Sequence, residues 1–291
     1  MARILWIGFV VLSACGTDGS AVSDGGATDL ARSASDGAAF DAAISGSTGC
    51  GQPVTPGYSV RTMKIDNVDR SYGVFIPDGV GASEHLPLVF VFHHRDGTID
   101  AARSYGMEGA AKDAGQHAIF VYPQALPYPG EGAVGWEIGC GNYDSRFADA
   151  IYTTVAGEHC IDTTRVFATG FSWGADMTIA YGCCRSDLLR AVAPSSGTAW
   201  GNWQAACPTQ APALRITIGD ADGNYSVSDV QKVTDFYRGR HGCNTTTTAA
   251  ESPCLGYNGC SAPVVQCIYP GMGHQIPQNG AANIWRFFAS F

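Results

Sequence analysis

The stretch that most constrains this chain is Arg165-Val166-Phe167-Ala168-Thr169-Gly170-Phe171-Ser172-Trp173-Gly174. An apolar run leads straight into Gly-x-Ser-x-Gly and then into a segment that can be helical. A strand that turns at once into a helix crowds its own backbone, and glycines two residues either side of the corner relieve the crowding. The residue at the tip is held in a strained conformation with its side chain exposed. A serine at such a tip is a candidate nucleophile. In a chain with 37 glycines the pattern alone does not separate a nucleophile from an ordinary turn. The flanking segments have to decide.

They alternate between strand and helix. Tyr58 to Asp66 and Arg70 to Pro77 flank a turn at Asn67-Val68-Asp69, which predicts an antiparallel hairpin. Leu-Pro-Leu-Val-Phe-Val-Phe at 86–92 is a nearly continuous apolar run, as expected of a strand buried on both faces. A helical pattern follows from Ile99 to Ala114, then a strand at 117–123. A loop rich in Gly, Pro and aromatics runs to Asn142. Phe147, Ile151, Thr154 and Val155 share one face of the next helix. After the elbow come a helix to about Arg185, strands at 189–197, 213–220 and 263–271, and helices at Val227–Arg240 and Ala281–Phe291. Such alternation predicts an α/β fold, a mainly parallel central sheet with helices on both faces.

A serine nucleophile needs a base and an orienting carboxylate. Two histidines follow Ser172. His241 ends a helical segment, whereas His274 lies just beyond the last strand. Open sheets of this type place their sites at the C-terminal ends of strands, so His274 is the candidate base. The acid should follow the strand at 213–219, where Asp220 and Asp222 both qualify.

At these residues the chain resembles a family. Cys160-Ile161-Asp162 through Gly174, Ile218-Gly219-Asp220-Ala221-Asp222 and Gly271-Met272-Gly273-His274-Gln275-Ile276-Pro277 are similar to secreted feruloyl esterases, acetylxylan esterases and polyhydroxybutyrate-depolymerase-like enzymes. The resemblance covers roughly residues 50 to 291 and implies the α/β-hydrolase fold. It also implies Asp222 as the acid, three residues after the glycine that ends its strand. It implies a disulfide from Cys160 to Cys183. The family's oxyanion donors correspond to the backbone N–H of Trp173 and an N–H of the loop after the first central strand. Here that loop reads His93-His94 where the family has His-Gly, and His94, with Arg95 as the alternative, is the candidate donor. Ala175-Asp176 replace the usual glycines at the start of the nucleophile helix, and an aspartate there suits the helix dipole.

The implied chemistry is serine ester hydrolysis through Ser172, His274 and Asp222, with no metal or organic cofactor. Tyr128, Trp136, Trp173, Trp200 and Trp203 fall on or near the loops at the strand ends, where rings can stack on a hydroxycinnamoyl group or a sugar. The expected substrate is a feruloyl or acetyl ester on plant polysaccharide. A short-chain polyester depolymerase is the alternative, and a non-catalytic surface binding protein the remote one. The net charge of −9 argues against nucleic acid as partner, because phosphate binding needs clustered Lys and Arg. A monomer is expected.

The ends of the chain suggest export. Residues 1–14 carry Arg3 and the apolar stretch Ile4–Leu12, too short to span a bilayer, and read as a signal peptide. Leu12-Ser13-Ala14-Cys15 resembles a bacterial lipobox, which implies cleavage before Cys15, its lipidation and membrane attachment through the lipid alone. Gly16 after it favours the outer membrane. Residues 15–49 read as a flexible linker of Gly, Ala, Ser, Thr and Asp, leaving 50–291 as the esterase domain. Of 11 cysteines, all but Cys15 are available for disulfides, without zinc-ligand spacing. Adjacent Cys183 and Cys184 should each find a separate partner.

Overall fold

Gly57–Ile65 (β1) and Val68–Ile76 (β2) pair antiparallel, from Gly57 opposite Ile76 to Ile65 opposite Val68. Asp66 and Asn67 make the turn, with φ of 49° and 65°, a left-handed pair that matches strand twist. The turn thus sits one residue earlier than the sequence suggests. The structure is a computed structural model that describes residues 45–291, apart from 202, 208 and 209. The expected signal peptide, Cys15 and most of the expected 15–49 linker lie outside the described residues.

The remaining elements in chain order are Leu86–Phe92 (β3), Ile99–Arg103 (α1), Met107–Asp113 (α2), Ile119–Pro123 (β4), Leu126–Tyr128 (β5), Ala133–Gly135 (β6), Tyr143–Glu158 (α3), Ile161–Phe171 (β7), Trp173–Cys184 (α4), Ala191–Ser195 (β8), Trp203–Ala206 (α5), Ala213–Gly219 (β9), Val227–Arg240 (α6), Thr247–Ala249 (β10), Cys254–Tyr257 (β11), Val264–Tyr269 (β12) and Gly280–Phe288 (α7). Ten strands form one sheet in the order β1-β2-β4-β3-β7-β8-β9-β12-β11-β10. The six from β4 to β12 run parallel, and the strands at both edges are antiparallel.

The continuous apolar run of β3 has a simple cause. Phe90 and Phe92 point to the face covered by α3, α4 and α6, where Ile151, Met177, Tyr181 and Tyr237 pack. Val89 and Val91 point to the other face, against Ala102, Met107, Trp285 and Phe288 of α1, α2 and α7. Each fully buried side chain of this size contributes roughly 1.5–3 kcal/mol. The pattern read as one helix over 99–114 is two short helices, because Gly106 between them takes φ 86°.

The chain leaves β3 toward β4 on one side and returns to β7 on the other. That reversal opens a crevice at the C-terminal ends of β3 and β7, where doubly wound sheets bind ligands. His93, His94 and Ser172 stand there.

Two expectations are corrected. Residues 45–49 belong to the folded domain rather than the linker. Ser47 N–H donates to Ile161 O at 3.0 Å, Ser47 Oγ donates to His159 O at 2.7 Å, and Gly46 bridges to Asp162. The disulfides are Cys50–Cys160, Cys140–Cys184, Cys183–Cys207, Cys243–Cys260 and Cys254–Cys267. Cys160 therefore does not pair with Cys183. The 45–50 segment, hydrogen-bonded along the start of β7, brings Cys50 onto Cys160. Cys183, on the buried side of α4, meets Cys207 just past α5. Cys183 and Cys184 do take separate partners. With all ten of these cysteines bonded, the denatured, unreduced protein without Cys15 should show no titratable thiol. Three or more free thiols would contradict this pairing.

Candidate active site

Ser172 sits at the tip of the elbow with φ 58° and ψ −125°, a region that a residue with a Cβ occupies only under constraint. The constraint is close packing. A Cβ on Gly170 would lie 2.3 Å from Gly174 O, and one on Gly174 would lie 2.2 Å from Phe92 O. Only glycine lets β7, the turn and the end of β3 approach so closely. Ser172 N–H donates to Ser195 O on β8 at 3.0 Å, which ties the elbow to the neighbouring strand.

Ser172, His274 and Asp222 are brought together from three loops. His274 Nε2 lies 2.9 Å from Ser172 Oγ, and Nδ1 lies 2.9 Å from Asp222 Oδ2. The hydroxyl can donate to Nε2 while Nδ1–H donates to the carboxylate. Asp222 Oδ1 also accepts the N–H groups of Asn224 and Tyr225 at 2.8 and 3.1 Å. Burial alone would raise the Asp222 pKa, but its bonds from His274, Asn224 and Tyr225 outweigh that and hold it below the ordinary carboxylate value. Asp220 does not approach His274. Its Oδ1 accepts Gly271 N–H at 2.6 Å and so braces the histidine loop. His241 is a buried helix-end residue whose Nε2 faces Pro212 O at 3.0 Å.

The His274 ring is flanked by Phe171 at 4.7 Å and Tyr225 at 5.7 Å between centroids. His94 stands nearby, its Nδ1 2.8 Å from Tyr105 Oη. Burial, and then the neighbouring His274, hold the His94 pKa below that of a free imidazole, which keeps a second positive charge away from His274.

The His94 N–H, expected as an oxyanion donor, donates instead to Tyr105 Oη at 3.0 Å. Tyr105 reaches the loop from just beyond α1, a contact no local pattern reveals. Among the described residues, the N–H groups of Trp173 and Arg95 have no acceptor. Trp173 opens α4, where the first N–H groups have no intrahelical partner, and Arg95 is next to His94.

A cleft of about 620 Å³ opens at Ser172, lined on one side by Tyr128, Trp173 and Trp200. Trp173 lies 5.3 Å from Tyr128 and 5.2 Å from Trp200, and Arg95 lies over its ring at 5.8 Å. Trp200 is 43% exposed. Trp136 and Trp203, expected in the cleft, are core residues at 0% and 3% exposed. The Trp136 indole donates to His93 O at 2.8 Å, and Trp203 packs edge-on against Phe236. An indole at a loop start packs into the core as readily as into a cleft. Arg95 also lines the cleft, as do Glu131, Asn224 and Tyr225, the last three unforeseen from sequence because scattered polar loop residues carry no spacing.

Asp176 was expected to do no more than suit a helix terminus. It is fully buried, and it accepts Thr198 N–H, Ala199 N–H and Tyr225 Oη–H.

A hydroxyl, imidazole and carboxylate in line, beside two unoccupied N–H donors and an open cleft, make a set suited to acyl transfer. No protein-family model matches the chain. Feruloyl esterase C of Emericella nidulans is 30% identical over 262 residues, covering 83% of this chain and 90% of that enzyme. Feruloyl esterase D of Neurospora crassa is 29% identical over 274 residues, covering 84% and 90%. Among solved structures, the acetyl xylan esterase from Aspergillus awamori superposes with a TM-score of 0.64 at 17% identity, over 79% of this chain and 99% of that one. That likeness speaks for the shared α/β-hydrolase fold. The identity to the Emericella enzyme extends over nearly its whole length, and by it this chain belongs to the feruloyl esterase family, a group of carboxylic ester hydrolases.

Proposed function

We propose that the protein hydrolyses hydroxycinnamoyl esters, such as ferulate esterified to plant polysaccharide, through an acyl-enzyme on Ser172. The observation that carries the substrate class is the pair of rings, Tyr128 and Trp200, that line the cleft beside the nucleophile and pack on either side of the buried Trp173. A flat aromatic acyl group stacks on such rings, whereas an acetyl group leaves them uncovered.

His274 Nε2 takes the Ser172 proton as Oγ attacks the ester carbonyl. Asp222 holds the imidazole in the Nδ1–H tautomer and stabilises the imidazolium. The N–H groups of Trp173 and Arg95 receive the developing oxyanion. The imidazolium then gives its proton to the sugar oxygen as the ester C–O bond breaks, and the sugar leaves as a free hydroxyl. Water, deprotonated by His274, releases the free acid and restores Ser172. The five disulfides support export to an oxidising compartment. In this reading the exported enzyme is a monomer tethered to the membrane by lipid at Cys15, its domain free to meet polymer.

The test is a substrate panel of methyl ferulate, acetylated xylan and polyhydroxybutyrate granules. The reading expects the highest kcat/KM on methyl ferulate. Activity confined to acetylated xylan or to polyester granules would overturn the substrate class. Trp200→Ala should raise KM for methyl ferulate by roughly three- to tenfold, the worth of one aromatic contact. Its kinetics on p-nitrophenyl acetate, which has no acyl ring, should not change.

A further inference from the structure

Asp176 is the only carboxylate of α4, and the acyl-transfer roles leave it unused. It is buried directly behind the nucleophile turn and makes three hydrogen bonds. Oδ1 accepts the N–H groups of Thr198 and Ala199, both at 2.7 Å, and Oδ2 accepts Tyr225 Oη–H at 2.6 Å.

Each bond leads to a functional part. The first two hold the segment that ends in Trp200. That segment needs holding, because Ser196 and Ala199 both take positive φ, 52° and 56°, which costs non-glycine residues about 1 kcal/mol or more each. The third bond fixes Tyr225. The Tyr225 ring stacks on His274 at an interplanar angle of 27°, and its N–H donates to Asp222 Oδ1.

We propose that Asp176 is a positioning residue for acyl transfer, setting the His274–Asp222 pair through Tyr225 and the aromatic wall of the cleft through Thr198 and Ala199. This rests on the acyl-transfer reading of Ser172. One buried carboxylate thereby keeps the triad and the acyl-binding wall in register.

Holding a charge there has a cost. Burial pushes the Asp176 carboxyl up to about 6, against the opposing bonds of Tyr225, Ala199 and Thr198 and the charge of His274. The ionisable groups facing it are Tyr225 from the loop after β9 and His274 from the loop after β12. The 196–199 segment contributes no charged group. The folded protein holds the Asp176 proton more tightly than the unfolded chain. The penalty is therefore absent at low pH and grows as pH rises through the folded value.

Asp176→Asn separates shape from charge. Its amide oxygen can keep both backbone N–H groups. Its NH2 then donates to Tyr225 Oη, reversing that bond and sending the Tyr225 proton elsewhere.

The experiment compares wild type, Asp176→Asn and Tyr225→Phe for kcat, KM on methyl ferulate and Tm. Labelling of Ser172 by an organophosphate is followed in each. Asp176→Asn should lose at least about tenfold in kcat, the scale of sub-ångström misplacement. Its Tm at neutral pH should equal or exceed that of wild type, and any gain should vanish near about pH 4. A residue with only a structural role would lower Tm and leave kcat intact. Tyr225→Phe, which keeps the ring but not the bond, should lose kcat comparably. If either variant folds and keeps kcat within about twofold of wild type, the inference is overturned. Should Asp176→Asn fail to fold, Tyr225→Phe decides alone. Wild type that turns over ester without labelling at Ser172 would instead sink the acyl-transfer reading.

Discussion

Ser172→Ala is expected to lower kcat by about five to six orders of magnitude, because triad members act as a unit and loss of the nucleophile removes the whole device. Tm should hardly move. Ser172 Oγ makes its hydrogen bond to His274, a contact of the active site rather than of the core, and alanine meets the same backbone constraint at φ 58°. Organophosphate labelling should disappear with the activity. Near-normal turnover of methyl ferulate by the purified variant would remove Ser172 from the mechanism, whatever the geometry suggests.

Asp222→Asn should lose at least about a hundredfold in kcat, a floor set below the roughly four orders seen for the equivalent change in serine proteases. The geometry explains why an isosteric change is so damaging. Asp222 Oδ1 is committed to the N–H groups of Asn224 and Tyr225. The amide oxygen of the variant must take that place, which turns the NH2 toward His274 Nδ1. The imidazole can then present only a protonated Nε2 to Ser172, and it cannot accept the serine proton. Asp220→Asn should keep kcat, since the Asp220 carboxylate accepts Gly271 N–H rather than a bond from His274. Its cost should be confined to stability, about 1 kcal/mol or less. Measuring kcat and Tm for both variants decides the matter. A dead Asp220→Asn beside an active Asp222→Asn would reverse the assignment.

The sheet was legible wherever burial on both faces forces a continuous apolar run, as in Leu86–Phe92. The β1–β2 hairpin was legible from two runs flanking a turn-forming stretch, although the turn falls at Asp66-Asn67 rather than at 67–69. That Ser172 and His274 meet was legible because the ends of parallel strands are where such sheets bring side chains together. Asp222 over Asp220 came from resemblance alone, since two aspartates two residues apart on one loop differ only in direction. What could not be read was whatever depends on distant chain. Thr247–Ala249 and Cys254–Tyr257 are short strands at an exposed sheet edge, without an apolar pattern. Trp136 and Trp203 have the same composition signal as Trp200, yet only the fold decides which indole meets solvent. Asp176 read as a helix-terminus charge because residues 196–199 and 225 arrive only in three dimensions.

The adjacent cysteines of α4 carry a consequence for how substrate is admitted. Cys184 holds Cys140, at the end of the loop that bears Tyr128 and Glu131. Cys183 holds Cys207, at the end of the segment that bears Trp200. Both banks of the cleft are thus moored covalently to one point on the nucleophile helix. An entrance built this way has little conformational entropy left to lose when an acyl group enters, so binding is preorganised rather than induced. Mild reduction would slacken both banks together, loosening substrate selection before it disturbs the chemistry at Ser172.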